Sequence, residues 1–134
     1  MKEIKRILIA NRGEIALRAL RTIQEMGKEA IVVHSTADAD ALYVRYADAS
    51  ICIGEARSSD SYLNIPAIIT ACEVSQADAI FPGYGFLSEN QNFVEICAKH
   101  DIKFIGPSVQ AMALMSDKSK AKQMMMRAGI PVVP

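Results

Sequence analysis

The sequence from residue 7 to residue 33, ILIANRGEIALRALRTIQEMGKEAIVV, predicts a strand, a helix and a second strand. It opens with a continuous apolar run, which is typical of a strand covered on both faces. Apolar residues then recur at helical spacing: Ile15, Ala19, Leu20 and Ile23. Gly27 stands where a helix takes its left-handed cap, and the apolar run 30–33 predicts another buried strand. Such a unit favours two parallel strands joined by a right-handed crossover.

The rest of the chain continues this alternation. The further predicted elements are a short helical piece at 41–46, strands at 49–53, 79–81 and 102–105, helices starting at Asn64 and at Asn90, and two last helices at 108–115 and about 117–128. Strands alternating with helices predict an α/β fold, a Rossmann-like, doubly wound parallel sheet with helices on both faces. Ligands of such sheets bind beyond the carboxyl ends of the strands, so the loops after strands one, two and four are the candidate sites.

Composition narrows the classes of partner. The 134 residues are 51% hydrophobic and 22% charged, which excludes a disordered polyelectrolyte. The 15 basic and 15 acidic residues cancel, so no global field favours nucleic acid, and we expect no nucleic-acid partner. The start of the chain carries Glu3 and only a short apolar run before Asn11, too short for a signal peptide or a membrane span. We therefore predict a cytoplasmic protein without a membrane partner.

Three cysteines, Cys52, Cys72 and Cys97, are spaced twenty or more residues apart. They have apolar neighbours, as in Ile51-Cys52-Ile53, and their number is odd. This pattern favours buried, reduced thiols over a disulfide framework or a zinc site, and no residue in the chain is predicted to bind a metal.

The loop after the first strand, residues 11–14, argues against two nucleotide-binding motifs. A dinucleotide fingerprint needs three spaced glycines there, and this loop has only Gly13. No GxxxxGK[ST] phosphate loop occurs anywhere in the chain. Arg12 is suited to binding an anion, but a solvated arginine is an equal alternative on the residue alone.

The loop after the fourth strand reads FPGYGFLSEN at 81–90. Gly83 and Gly85 allow backbone dihedrals closed to other residues and a close approach by a ligand, while Tyr84 supplies a ring and a hydroxyl. The following helix, starting at Asn90, offers free amides to an anion. A tight turn that needs glycine for geometry alone is the alternative, but the position at the carboxyl edge favours a binding site.

Charged side chains form a stripe on the first helix: Arg18, Arg21 and Glu25. Leu17 is expected beside the stripe, away from the core, and the i, i+4 spacings predict ion pairs from Glu14 to Arg18 and from Arg21 to Glu25. A solvated face is one interpretation, and a subunit contact through arginine pairs is the other.

Lysines crowd the start of the last predicted helix: Lys118, Lys120 and Lys122. The helix dipole disfavours cations at that end, although Asp117 offsets part of the effect as a cap. Lys118 shares a face with apolar residues of this helix, so a bound phosphate would explain its position. A plain surface cluster of lysines is the alternative.

Five segments together resemble the amino-terminal domain of the biotin carboxylase family: IANRGEIALR at 9–18, SYLNIPAIITA at 61–71, PGYGFLSEN at 82–90, FIGP at 104–107 and MSDKSKAK at 115–122. The resemblance covers essentially the whole chain. It implies an ATP-grasp ligase that uses MgATP and bicarbonate to form carboxyphosphate and carboxylates biotin on a carrier protein. Acetyl-CoA carboxylase and pyruvate carboxylase share this half-reaction, so the final acceptor of the carboxyl group is left open.

The resemblance also implies roles for particular residues. Lys118 matches the family's nucleotide-binding lysine, the loop of Gly83, Tyr84, Gly85 and Phe86 matches the loop near the biotin and bicarbonate pocket, and the charged stripe on the first helix matches the dimer interface. Residues 1–113 match the Rossmann-like domain, and 114–134 match the start of the ATP-grasp domain.

The chain departs from the family pattern at one position, and several of the family's functional residues have no match in it. Phe81 stands where many members have histidine. The family's magnesium ligands, bicarbonate site and catalytic arginine match nothing before Pro134, so this fragment is expected to fold but not to turn over, and it contains no catalytic residue. The implied partners of the full-length protein are a biotin carboxyl carrier protein, a carboxyltransferase and a second copy of itself.

Two other classes of protein stay open on the sequence. One is another ATP-grasp ligase, such as a carbamoyl-phosphate synthetase-like protein. The other is a flavodoxin-like or receiver module that acts through the Arg18 face. A receiver would need a strand-end aspartate, whereas the strands here end in Ala10, His34 and Phe81.

Overall fold

The computed structural model describes residues 3–116 and 128–129. Its centre is a five-stranded sheet in the order β3-β2-β1-β4-β5, and every pairing is parallel. The strands are β1 Arg6–Ile9, β2 Glu29–Ser35, β3 Ala49–Gly54, β4 Ala79–Phe81 and β5 Lys103–Phe104. The predicted doubly wound α/β fold is confirmed.

The helices lie between the strands and after the last one. They are α1 Gly13–Glu25, α2 Leu42–Tyr46, α3 Ile65–Ser75, α4 Gln91–Lys99 and α5 Val109–Ser116. Two predicted caps are confirmed, because the side-chain oxygens of Asn64 and Asn90 accept hydrogen bonds from the amides of Ala67 and Phe93 at 3.1 and 2.8 Å. The helix predicted over about 117–128 lies outside the described residues apart from its last position.

Two hydrophobic clusters cover the two faces of the sheet. Alternate residues of β1 enter opposite clusters, Leu8 on the side of α3, α4 and α5, and Ile7 and Ile9 on the side of α1 and α2. Both faces of the central strand are therefore closed to water, as the apolar run predicts. Within the described part of the chain, every helix is too short or too polar to cross a bilayer.

The prediction for Leu17 is wrong. Its side chain is only 6% exposed and packs with Leu20 and Ile23 in the cluster beneath α1. The buried face of α1 is rotated slightly from the predicted one, so that Ile15 and Ala19 are only half-buried. Leu17 therefore contributes to the core and not to an exposed contact surface.

The prediction of three buried thiols is also wrong at one position. Cys72 and Cys97 are buried, but Cys52 is exposed. In β3 the residues Ile51 and Ile53 face the cluster beside α3, so Cys52 between them points to the other face of the sheet. Because β3 is an edge strand, that face is left uncovered at Cys52.

The three thiols should react at different rates. Burial raises the pKa of Cys72 to about 12 and that of Cys97 to about 11, so neither forms the reactive thiolate near neutral pH. Iodoacetamide at pH 8 should modify Cys52 alone in the folded chain and all three cysteines in urea, as read by intact mass. Labelling of Cys72 or Cys97 at the rate of Cys52 without denaturant would contradict the described core.

Candidate functional site

The candidate site lies where the strand order changes direction. The chain builds the sheet outward from β1 through β2 to β3, and then continues on the other side of β1 with β4 and β5. The loops after β1 and β4 therefore diverge and border a crevice at the carboxyl edge of the sheet. Open α/β sheets bind ligands at such a switch point.

The side chain of Asn11 joins these two loops. It is 1% exposed, and its Nδ2 donates hydrogen bonds to the carbonyl oxygens of Pro82 and Tyr84, both at 2.8 Å. Its Oδ1 accepts a hydrogen bond from the backbone amide of Arg12, also at 2.8 Å. Both N–H groups of the carboxamide thus donate to backbone carbonyl oxygens, one on each side of Gly83.

Two features require glycine at position 83: its backbone dihedrals and its close contact with Asn11. Its φ is +70°, in the left-handed region that favours glycine. A Cβ at this position would lie 2.8 Å from Nδ2 of Asn11 and 2.9 Å from Cγ2 of Ile15. The geometric explanation offered by the sequence holds here, and the group that lies close to the backbone is the protein's own Asn11, while the approach of a ligand stays a prediction.

The rest of the loop presents one aromatic ring outward and one inward. Tyr84 is 74% exposed. Phe86, with a φ of +42°, packs its ring against that of Tyr62 with the centroids 5.1 Å apart. The loop is therefore fixed at both ends, with Tyr84 at its apex.

An apolar groove of about 520 Å³ runs beside Tyr84, between α1 and the sheet. Its walls include Ile15, Ala19, Phe81 and Ile105. The neighbours of Phe81 in this groove are apolar, which suits a phenyl ring better than the histidine that the family resemblance implies at this position. In this chain Phe81 is thus a wall of the groove.

The side chain of Arg12 is half exposed, and two of its guanidinium nitrogens are occupied by a carboxylate of the chain itself. Its Nε and Nη2 donate to Oδ2 and Oδ1 of Asp38 at 2.7 and 2.6 Å, a bidentate pair between the loops after β1 and β2. Its guanidinium also lies 5.9 Å from the centroid of the Tyr62 ring. Both alternatives offered by the sequence therefore hold in part: Arg12 binds an anion, the chain's own Asp38, while half of its side chain stays in contact with solvent.

Asp38 is buried, and its environment keeps it charged. The hydrogen bonds from Arg12, assisted by one from the Tyr62 hydroxyl, lower its pKa from 3.8 to about 2 against the opposing effect of burial. Burial and the neighbouring Asp38 carboxylate raise the pKa of Tyr62, so its hydroxyl stays protonated and donates.

Tyr43 extends this network into the core. Its hydroxyl lies 3.0 Å from both the carbonyl oxygen of Val33 and the Tyr62 hydroxyl. Burial raises the pKa of Tyr43 well above its usual range, so it too stays protonated. The amide of Ser35 donates to the Tyr62 hydroxyl at 3.0 Å. The carboxyl end of β2 is thereby tied to the same group of side chains.

The charged stripe of α1 is exposed. Arg18, Arg21 and Glu25 all face solvent, and neither of the predicted pairs, Glu14 to Arg18 or Arg21 to Glu25, forms an ion pair in the described structure. The stripe is thus free of contacts that would have to break before it could pair with a second subunit. Its assignment as a dimer interface stays a prediction.

Lys118, the predicted ATP-binding residue, lies outside the described residues. Within residues 3–116 and 128–129, no group of three or more histidine, cysteine, aspartate or glutamate side chains is placed to hold a metal ion.

Comparison with known proteins identifies the family. The family model described as biotin carboxylase, N-terminal domain, matches residues 3–112. The chain belongs to this family. A biotin carboxylase from Nostoc sp. is 61% identical over 96% of the chain, and the match spans 29% of that relative.

Solved structures agree with the family assignment. The structure of a biotin carboxylase–βγ-ATP complex from Campylobacter jejuni matches 98% of the chain with 82% identity and a TM-score of 0.94, over 30% of its own length. The Kluyveromyces lactis urea carboxylase matches 98% of the chain with 40% identity and a TM-score of 0.94, over 12% of its length. The chain thus spans less than a third of the biotin carboxylases it matches.

Sequence reasoning missed four residues of this biotin carboxylase N-terminal domain: Asn11, Asp38, Tyr43 and Tyr62. Asn11 had a detectable signal, since a polar residue directly after a buried strand lies at the carboxyl edge. Asp38 had none, because Asp40 offers the same carboxylate two residues away. Only the turn Thr36–Asp38 decides which of the two aspartates faces Arg12.

The Arg12–Asp38 pair should stabilise the fold in a pH-dependent way. Replacing Asp38→Asn should lower the free energy of unfolding by about 1–3 kcal/mol at pH 7, because the buried hydroxyl of Tyr62 and the half-exposed guanidinium of Arg12 lose their charged acceptor. Because the folded pKa is depressed to about 2, the contribution is fully present above the unfolded pKa of 3.8. It should decline as the pH falls from there through the folded value.

Urea unfolding of both chains across this pH range measures the difference. Asp60→Asn is the matched control, since Asp60 pairs with Arg57 on the surface at 3.2 Å and should contribute only about 0–1 kcal/mol. A loss for Asp38→Asn that equals the control at pH 7, or that grows on acidification, would show that the pair does not act as described.

Proposed function

We propose that the full-length protein carrying this chain is a biotin carboxylase. It uses MgATP and bicarbonate to form carboxyphosphate, and it transfers the carboxyl group to biotin on a carrier protein. The observation that carries this proposal is the family match over residues 3–112, together with 82% identity to the Campylobacter jejuni enzyme across 98% of the chain. ATP supplies the phosphoryl group that activates bicarbonate.

The loop Gly83–Phe86 forms part of the biotin and bicarbonate pocket in this proposal. Three observations support the assignment: the loop lies at the switch point of the sheet, it is fixed at both ends, and it holds Tyr84 outward beside an apolar groove. The ring of Tyr84 suits contact with a flat, largely apolar ligand, and its hydroxyl suits a polar edge.

The other parts of the chain and of the full-length protein have separate roles in this proposal. Residues 1–113 form the Rossmann-like domain, and 114–134 begin the ATP-grasp domain, where Lys118 contacts ATP. Magnesium ligands and the catalytic arginine belong to the remainder of the full-length protein. The protein acts in the cytoplasm as a homodimer, together with a biotin carboxyl carrier protein and a carboxyltransferase.

The reaction itself tests this proposal. The full-length protein should hydrolyse ATP in the presence of bicarbonate and biotin, with transfer of labelled bicarbonate carbon to biotin. Lys118→Ala should raise KM for ATP about tenfold or more, because a charge-assisted hydrogen bond to phosphate contributes about 1.5–3 kcal/mol. Lys99→Ala, on the exposed end of α4, is the matched control and should change nothing.

Two results would favour a different function for the full-length protein. ATP consumption by the full-length protein that does not depend on biotin would favour the carbamoyl-phosphate synthetase-like alternative. Absence of any ATP consumption would favour a non-enzymatic interaction module. Robust biotin-dependent turnover by residues 1–134 alone would contradict the assignment of catalysis to the remainder of the protein.

The dimer interface is tested separately. Arg21→Glu reverses a charge in the exposed stripe of α1, so it should weaken self-association of the full-length protein through like-charge repulsion. Arg45→Glu makes the same change on the exposed surface of α2. Sedimentation velocity should show a shift towards monomer for the first variant only, and equal behaviour of the two would place the interface elsewhere.

A further inference from the structure

We propose that Asn11 is a positioning residue for the biotin site: it fixes the backbone on both sides of Gly83 and thereby the direction in which Tyr84 faces the substrate. This inference rests on the proposed function, since it assumes that the loop of Tyr84 contacts biotin. Asn11 itself is almost fully buried and does not reach the substrate.

The hydrogen bonds of Asn11 determine the conformation of the loop. One amide nitrogen has two N–H groups, and each is used on a carbonyl oxygen flanking Gly83, at 2.8 Å in both cases. The positive φ of Gly83 curls the chain so that both oxygens point to the same side. A rotation of either peptide group would leave a buried donor without an acceptor, which is costly.

The fit between Asn11 and Gly83 leaves no room for another arrangement. A Cβ on residue 83 would stand 2.8 Å from Nδ2 of Asn11, whereas a Cβ on Gly85 would meet nothing within 4 Å. Both glycines have φ values near +70°, at +70° and +75°. The two positions therefore share the same backbone requirement and differ in their contacts, which at position 83 are with Asn11 and Ile15.

Tyr84 depends on this backbone for its direction. Its side chain is exposed and makes no hydrogen bond to any other described residue. On the far side of Gly85, the contact of Phe86 with Tyr62 holds the loop a second time. Between these two anchors, the hydrogen bond from Asn11 to the carbonyl of Tyr84 is the direct link from the core to the apex.

The substitution Asn11→Asp in the full-length protein tests the proposal. It keeps the size of the side chain but places an oxygen against two carbonyl oxygens, so both hydrogen bonds are lost. KM for biotin should rise about tenfold or more, the effect of one unsatisfied buried group, with a smaller change in kcat. KM for ATP should change less than about twofold, because the proposed function assigns the contact with ATP to Lys118 and not to the loop. Hydrogen exchange of the amides at 83–88 should become faster.

The same chemical change elsewhere is the control. Asn64 caps α3 by accepting a hydrogen bond from Ala67, and aspartate accepts there equally well. Asn64→Asp should therefore leave KM for biotin, KM for ATP and exchange of the loop amides unchanged.

A second pair of variants serves if Asn11→Asp does not fold. Gly83→Ala then replaces it as the test variant, and Gly85→Ala is the matched control. Gly83→Ala should raise KM for biotin by several times more than Gly85→Ala does.

The possible outcomes separate this inference from the proposed function. Unchanged exchange of the loop amides in Asn11→Asp, or equal effects of the two glycine variants, would overturn it. Faster exchange with an unchanged KM for biotin would also overturn it, since the loop would then move without consequence for the substrate. If the unmodified protein does not carboxylate biotin, the proposed function fails, and the exchange experiment alone then decides whether Asn11 holds the loop.

Discussion

The dipeptide Asn11-Arg12 is the interaction on which the carboxyl edge of this sheet depends. Arg12 has extended dihedrals, with φ of −138° and ψ of 173°, and successive side chains of an extended chain point to opposite sides. Asn11 therefore reaches the loop after β4, and Arg12 reaches the turn after β2. Two adjacent residues tie together the three loops that surround the switch point. Parallel strands need such links, because their long crossovers do not join neighbouring loops directly.

Apart from the half-exposed Arg12, the side chains that make these links are buried, and the cost of burying their polar groups is offset because they hydrogen-bond to one another and to the backbone. Asp38 accepts from Arg12 and Tyr62, Tyr62 accepts from the amide of Ser35, and Tyr43 reaches the carbonyl of Val33. In the described part of the chain, every fully buried side-chain nitrogen or oxygen has a hydrogen-bond partner. A network in which every member is satisfied rigidifies its surroundings, whereas one missing partner would leave a buried charge or donor. The edge of the sheet can therefore hold a loop with three positive φ values, at Gly83, Gly85 and Phe86.

The sequence was sufficient for the elements and insufficient for the contacts between them. Apolar runs and helical spacing located the strands and helices, and Asn64 and Asn90 marked two helix starts, because these signals are local. The loop at Gly83 was recognisable from its glycines and its place after a buried strand. The partner of Arg12 was missed, and Leu17 and Cys52 were predicted wrongly, each for a different reason. The partner of Arg12 is 26 residues away in the chain, Leu17 depends on a small rotation of α1, and Cys52 depends on β3 lying at the edge.

The charge distribution at the edge bears on how the domain serves the proposed reaction. Arg12 and Asp38 neutralise each other, and the loop Gly83–Phe86 carries no charge. Arg18 is a charged side chain that lines the groove beside this loop, and under the proposed function Lys118 contacts ATP. What the loop offers is an aromatic ring, a groove and a fixed backbone, which suit a neutral bicyclic ligand. Under the proposed function, this loop thus contributes to recognising the shape of biotin. A rigid loop matters more for that task than for binding an ion, because shape recognition tolerates little displacement, whereas an attraction between charges falls off slowly with distance.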